Sequence, residues 1–150
     1  MWSLASGGIR NFRGDVIAEN VRIPVNSAVW WDGDLLREML DRGSISKYDW
    51  TTQQCHTIID FNSEGCAFNN GSKNNPCISA DIIGDWREEV IVRSRDNSEL
   101  RIYSTTIPTQ HRLPSLMEDI PYRIGIATQN VAYNQPPHTG YYIGAETKTF

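Results

Sequence analysis

The sequence predicts an all-β fold made of short strands with a single short helix. Three observations carry this. Short apolar runs are punctuated by Gly, Asn and Asp throughout the 150 residues. Glu89 to Thr106 alternates with the period of two that a strand imposes, and the period of a helix occurs once, between Ile120 and Val131. Many short strands at near-regular spacing with turn signals point to a sandwich, a barrel or a propeller. No linker or low-complexity segment interrupts the chain, so residues 1–150 are read as one portion without an internal boundary.

The elements follow in order. Ser27 to Trp31 (SAVWW) reads as a strand closed by the turn Asp32-Gly33-Asp34. Leu35, Leu36, Met39 and Leu40 could share one helical face. Their short, turn-bounded neighbours favour instead a strand from Leu35 to Leu40, running into Asp41-Arg42-Gly43. From Glu89 to Arg95, Val90 and Val92 take one face and Ile91 and Arg93 the other. Asp96-Asn97 makes the turn, and Glu99 to Thr105 returns with Leu100 and Ile102 opposed to Arg101 and Tyr103. Ile120, Ile124, Ala127 and Val131 fall at spacings of 4, 3 and 4. With Pro121 where a first helical turn tolerates it, they predict a short helix from 121 to about 130.

Composition excludes several classes. With 39% hydrophobic and 21% charged residues the chain is globular rather than disordered. No apolar run approaches the ~20 residues of a membrane span. Met1 to Gly8 has neither a basic start nor a continuous apolar stretch, so no secretory signal is expected in this chain. Fourteen basic against 18 acidic side chains give a net charge of −4, which argues against a nucleic-acid footprint. Cys55, Cys66 and Cys77 contain no CxxC pair, and His56, His111 and His138 lie far apart, so a zinc site is not expected. The thiols are read as buried or half-buried, with one disulfide at most.

Three groups of residues could carry chemistry. Asp81, Asp85, Glu88 and Glu89 surround a Gly turn in ADIIGDWREEV. Oxygens arranged in this way suit a hard cation such as Ca²⁺, although Ile83 breaks the EF-hand pattern. The same spacing suits a solvated acidic turn paired with Arg87 and Arg93. Phe68 to Pro76 (FNNGSKNNP) presents amides, a hydroxyl and the Lys73 amine from a loop, groups fitted to sugar hydroxyls and a uronate carboxylate. It suits an ordinary turn equally. Asn130 to Tyr142 gathers Tyr133, Asn134, Gln135 and His138 with Tyr141 and Tyr142, an aromatic and amide wall or a Pro-rich turn with core tyrosines. No GxSxG, Walker A or GxGxxG sequence is present.

Taken together, these segments are distinctive. Asn70 to Arg112, Tyr122 to Gly144 and WWDGDLLREMLD (Trp30 to Asp41) resemble the carboxyl-terminal part of rhamnogalacturonan lyases of polysaccharide lyase family 11. GDWREE and AYNQPPH are its most specific stretches, and the likeness runs through nearly all of Trp2 to Gly144. It implies the last blades of an eight-bladed β-propeller that carries Ca²⁺ and has its substrate cleft over the axis. It implies too that the full-length protein is secreted and acts on rhamnogalacturonan I, the pectin backbone of alternating rhamnose and galacturonate. The implied reaction is Ca²⁺-assisted β-elimination at the rhamnose-(1→4)-galacturonate bond, leaving a 4,5-unsaturated uronate.

The resemblance places the family's sugar-binding loop on Asn70, Gly71 and Ser72, with Ser72 where threonine is usual, and extends sugar contacts to Asn134 and His138. Lys73 and Tyr133 become candidates for base, acid or carboxylate clamp. An amine or a phenol ordinarily titrates at about 10, and acts as a base near neutrality only with a lowered pKa. Asp81, Asp85, Glu88 and Glu89 fall on an acidic propeller loop that would hold structural Ca²⁺. Two other readings stay open: a Ca²⁺-dependent pectin-binding module that does not cleave, and a truncated propeller fragment.

Overall fold

The computed structural model describes residues 2–3, 8–11, 13–21, 23, 26–131, 135–144 and 147. They form three antiparallel sheets and one short helix. In the first sheet β1 (Trp2–Ser3), β2 (Gly8–Arg10) and β3 (Val16–Glu19) pair in chain order. The second is a meander of β4 (Ser27–Val29), β5 (Glu38–Asp41), β6 (Ser44–Asp49) and β7 (Gln54–Asp60). The third centres on β10 (Glu89–Ser94). β11 (Leu100–Tyr103) lies on one side of it, with β8 (Cys66–Ala67) and β9 (Ile78–Ala80) on the other.

The expected hairpin is present, with Val90 paired to Tyr103 and Ile91 to Ile102. Val90 and Val92 are fully buried, as the alternation required. The run from Leu35 to Leu40 differs from expectation. Only Glu38–Asp41 enters the ladder, while Leu35 is buried from within a loop. β7 had no signal of its own, because as an edge strand it exposes Gln54 to Thr57 and lacks an apolar face.

Three apolar clusters join the sheets. Val29, Trp31, Leu40 and Ile45 of the second sheet meet Phe61, Cys66, Val90 and Val92 at the third. Ile9 and Ala18 pack on Met39 and Tyr48 and so fasten the first sheet to the second. Trp30, Leu35, Trp86, Leu116 and Tyr122 gather two loops beneath the helix. Trp30 and Trp31, adjacent in sequence, thus serve different clusters. Burying each such side chain contributes roughly 1.5–3 kcal/mol.

The helix, α1 (Ile120–Thr128), follows a 3₁₀ turn at Leu116–Glu118 and is capped by Asp119, whose carboxylate accepts from Tyr122 N. Its aliphatic stripe faces outward. Ile120, Ile124 and Val131 are exposed, whereas Tyr122 and Gln129 are buried. The anchor is polar: the Tyr122 hydroxyl donates to Glu88 Oε1 at 2.7 Å and accepts from Asp81 N at 2.9 Å. Those two bonds fix the helix rotation, and the aliphatic stripe lines a groove with Pro136 and His138.

All three cysteines are free. Cys66 is buried and Cys77 half-buried, but Cys55 is exposed on β7, contrary to the reading of three sheltered thiols. Among the described residues, no helix is long and apolar enough to cross a membrane.

The second and third sheets share one device that the sequence reading missed. β4 leads to β5, and β9 to β10, through loops of equal length, 30–37 and 81–88. In each case a glutamate opens the second strand, opposite the last residue of the first: Glu38 across from Val29, and Glu89 across from Ala80. Glu38 Oε2 accepts from Trp31 N and Asp32 N, at 2.9 and 3.1 Å. Glu89 Oε2 accepts from Ile82 N and Ile83 N, at 2.8 and 3.1 Å. Asp34 and Asp85 each cap the amide two residues on, Leu36 N and Arg87 N. Gly-Asp followed four residues later by Glu is the signal, faint because the residues between differ.

Candidate functional site

The polar loop 69–75 is a tight excursion between β8 and β9, closed by paired hydrogen bonds between Asn69 and Asn75. Asn70 and Asn74 adopt left-handed backbone (φ 55 and 49), a conformation asparagine tolerates better than most residues. Asn70, Gly71 and Ser72 are exposed at its tip, and Ser72 Oγ donates to Asn70 Oδ1 at 3.1 Å. Lys73 is half-buried; its amide donates to Asn70 O, and its carbonyl accepts from Asn26 Nδ2 at 3.2 Å. The sequence-predicted group from Asn70 to Lys73 is therefore presented together on one turn.

The end of α1 is stitched to the segment that follows this loop. The Gln129 side chain donates to Ser79 O at 3.0 Å and accepts from Ser79 N at 2.8 Å. The Asn130 side chain donates to Cys77 O. The end of α1 is thus held at Cys77, four residues beyond Lys73 in sequence. Tyr133 and Asn134 lie outside the described residues. Val131 and Gln135 line the groove along α1, which has a volume of about 480 Å³ and reaches His138.

His138 also lines a second cavity of about 440 Å³ with Arg37, Lys47, Tyr48 and Trp50. Arg37, which sequence reasoning overlooked, is the central cation of this region. Its guanidinium lies 4.3 Å from the Trp30 ring centroid, donates to Ala28 O at 2.7 Å, pairs with Glu88 at 3.3 Å and meets His138 Nδ1 at 3.3 Å. Burial, and then the Arg37 charge, hold His138 below the ordinary histidine pKa. A neutral imidazole accepting at Nδ1 from Arg37 carries its proton on Nε2. A signal for Arg37 existed in LLREM, but its partners come from residues far away in sequence.

The acidic loop behaves differently from a ligand set. Asp81 is buried, and its oxygens accept from Gly84 N, Ser115 Oγ and Leu116 N. Glu88 accepts from Trp30 N, Arg37 and Tyr122. Glu89 holds the amides of Ile82 and Ile83, and Asp85 pairs with Arg87 at 2.6 Å. Among the described residues these four carboxylates are not a group whose oxygens meet within 4.8 Å of one another, and protein donors take both oxygens of Asp81, Asp85 and Glu88 and one of Glu89. Burial raises the Glu88 pKa, against the lowering by Arg37 and its hydrogen bonds.

Among the described residues the carboxylates that do converge are Asp32, Asp34 and Glu38, with one oxygen of each within 4.8 Å of the others. Lys47 Nζ reaches into this cluster, bonding Asp32 Oδ2, Asp34 Oδ2 at 2.6 Å and Glu38 Oε1 at 3.3 Å. Burial and the Asp32 charge push Glu38 up to about 7, while hydrogen bonds from Lys47 to the carboxylates raise the lysine above its ordinary value. In the sequence Asp32-Gly33-Asp34 is a weaker echo of the acidic loop at 81–89 and, alone, more often a turn, because Glu38 and Lys47 join it only through the β5–β6 ladder.

Comparisons with known proteins agree with one another. The family model for the C-terminal domain of rhamnogalacturonan lyase family 11 matches residues 1–150. The rhamnogalacturonan endolyase YesW of Bacillus subtilis (strain 168) is 50% identical over 140 residues, covering 93% of this chain and 22% of YesW. The rhamnogalacturonan exolyase YesX of the same organism is 47% identical over 151 residues, covering 95% of this chain and 24% of YesX. The 1.40 Å crystal structure of YesW superposes with a TM-score of 0.87, covering 94% of this chain and 24% of that one. A rhamnogalacturonan lyase PL11 of Bacillus licheniformis superposes with a TM-score of 0.85 at 49% identity, covering 91% and 23%. The chain thus spans less than a quarter of the length of each of these relatives.

Proposed function

The chain belongs to rhamnogalacturonan lyase family 11, as its C-terminal domain, and from that membership we propose that it supplies part of the active site of a secreted lyase acting on rhamnogalacturonan I. The reaction is β-elimination at the bond to O4 of galacturonate. A base removes the C5 proton, the electron pair forms the C4–C5 double bond, and the C4–O4 bond breaks with protonation of the departing oxygen. The C5 proton is weakly acidic until the adjacent carboxylate is neutralised, so the site must supply positive charge as well as a base.

The observation that carries this reading is the tie between Asn130 and Cys77, which draws together two loops widely separated in sequence. In this reading Lys73 and Tyr133 serve as base, acid or carboxylate clamp. Asn70, Gly71, Ser72, Asn134 and His138 contact the sugars. No step is assigned to Asp81, Asp85, Glu88 or Glu89, which hold loops together. The second and third sheets are read as blades of a propeller completed by a longer chain. Leu100 and Ile102 on β11 support this, at 70% and 63% exposed, as a face that a neighbouring blade would cover.

Lys73→Ala or Tyr133→Phe, placed in the complete enzyme, lowers turnover by about 10²-fold or more with the fold intact. Turnover is followed by the absorbance of the unsaturated uronate. Near-normal turnover in both variants removes them from the mechanism. A pectin-binding role without cleavage is the rival. The same assay separates the two, since binding creates no double bond.

A further inference from the structure

The two matched loops make the Asp32 cluster informative. Both close with the same hydrogen bonds from backbone amides to their glutamate and aspartate. In the third sheet, however, Ile83 stands where the second has Asp32. By ladder register, Ser104 stands where the second has Lys47, since Met39 pairs with Ser46 and Val90 with Tyr103. The third-sheet loop, where Asp81 caps Gly84 N instead, therefore folds without an acid at the Asp32 position or a lysine on the neighbouring strand. Asp32 and Lys47 are additions to the loop rather than requirements of it.

What they add is a cation site. Each of the three acids divides its oxygens in the same way. Asp32 Oδ1 accepts from Asp34 N, Asp34 Oδ1 from Leu36 N, and Glu38 Oε2 from Trp31 N and Asp32 N. The remaining oxygens, Asp32 Oδ2, Asp34 Oδ2 and Glu38 Oε1, all turn to one point. The Glu38 side chain is wholly buried, and its Oε1 receives no hydrogen bond from any group; only the ionic contact with Lys47 reaches it. Backbone amides orient three oxygens whose opposite faces meet, an arrangement suited to a hard divalent ion. One ammonium opposes three carboxylates there.

We propose that Asp32, Asp34 and Glu38 form an oxygen-ligand site for a hard divalent cation of the Ca²⁺ class, and that the Lys47 ammonium occupies it as a cation supplied by the chain itself. The second sheet is then closed without metal, and neutralising Lys47 converts the loop into a metal site. This stands apart from the lyase reading, because none of its residues takes part in the proposed elimination.

The test is a Ca²⁺ titration by calorimetry and a Tb³⁺ luminescence titration on the 150-residue chain, with Trp30 and Trp31 as neighbouring antennas. Wild type, Lys47→Met and the double variant Lys47→Met with Asp32→Asn are compared, with a circular-dichroism melt of each in chelator and in Ca²⁺. Lys47→Met should gain one site, at least about tenfold tighter than any in the wild type, which the added Asp32→Asn removes. If Lys47→Met is unfolded in chelator, Ca²⁺ should restore its cooperative transition while leaving the wild-type melt unchanged. Unchanged affinity in a folded Lys47→Met, a gained site that survives Asp32→Asn, or an unfolded variant that Ca²⁺ does not rescue would each overturn the proposal.

Discussion

His138 and Arg37 show how a single pair ties chemistry to packing. The Arg37 guanidinium is held by Trp30, Ala28 O and Glu88 before it reaches His138. The imidazole therefore faces a charge it cannot displace. Burial is the larger cause of its lowered pKa and Arg37 the smaller. Arg37→Gln is expected to raise the His138 pKa part of the way to its ordinary value, as read from the imidazole protons in an NMR pH titration. No movement would mean that Arg37 does not act on it. Because the folded pKa lies below the unfolded one, the associated stability is complete above about 6.5 and is lost as pH falls through the folded value. His138 was legible in the sequence through PPH beside a tyrosine and amides. Arg37 was not, since every partner but Ala28 and Trp30 lies at least fifty residues away.

The paired loops show one element solved twice by different local means. Gly33 and Gly84 hold the same position, for different reasons. A Cβ at Gly33 would lie 2.5 Å from Pro108 O, where the segment after β11 crosses the loop and Thr109 Oγ1 donates to Gly33 O at 2.7 Å. Gly84 needs its left-handed backbone (φ 82), with only Ser115 side-chain atoms nearby, at 3.7 Å or more. Both alanine variants should lose about 1–2 kcal/mol in a denaturant titration. Only Gly33→Ala should also speed amide hydrogen exchange around Thr109 to His111, because it alone pushes that segment away. Equal exchange in the two variants would contradict this. The hairpin of β10 and β11 could be read from alternation, because one of its faces is buried. The helix could be located but not rotated, since its orientation comes from a tyrosine hydroxyl bonding two distant loops rather than from its aliphatic stripe.

Across the whole molecule, Glu88 is the joint. It carries backbone and side-chain bonds to the loop of the second sheet through Trp30 and Arg37, and to the helix through Tyr122. Tyr122→Phe leaves Glu88 Oε1 without its donor and Asp81 N without its acceptor, both in buried surroundings. A loss of about 1–3 kcal/mol is expected. It should shift the far-ultraviolet and the tryptophan-reported melts together, because the joint couples the second sheet to the third. Separate shifts would show that the two sheets unfold independently. By itself the sequence determined the all-β character, the central hairpin, the place of the single helix and the family, since each depends on periodicity or on motifs contiguous in the chain. Tertiary structure alone decided which carboxylates converge. GDWREE carries the denser acidity, yet most of its oxygens are taken by backbone amides, Arg37, Arg87 and Tyr122, whereas Asp32, Asp34 and Glu38 meet around Lys47. Convergence depends on where side-chain oxygens point after every backbone donor has taken its share, and strand register sets that rather than sequence spacing.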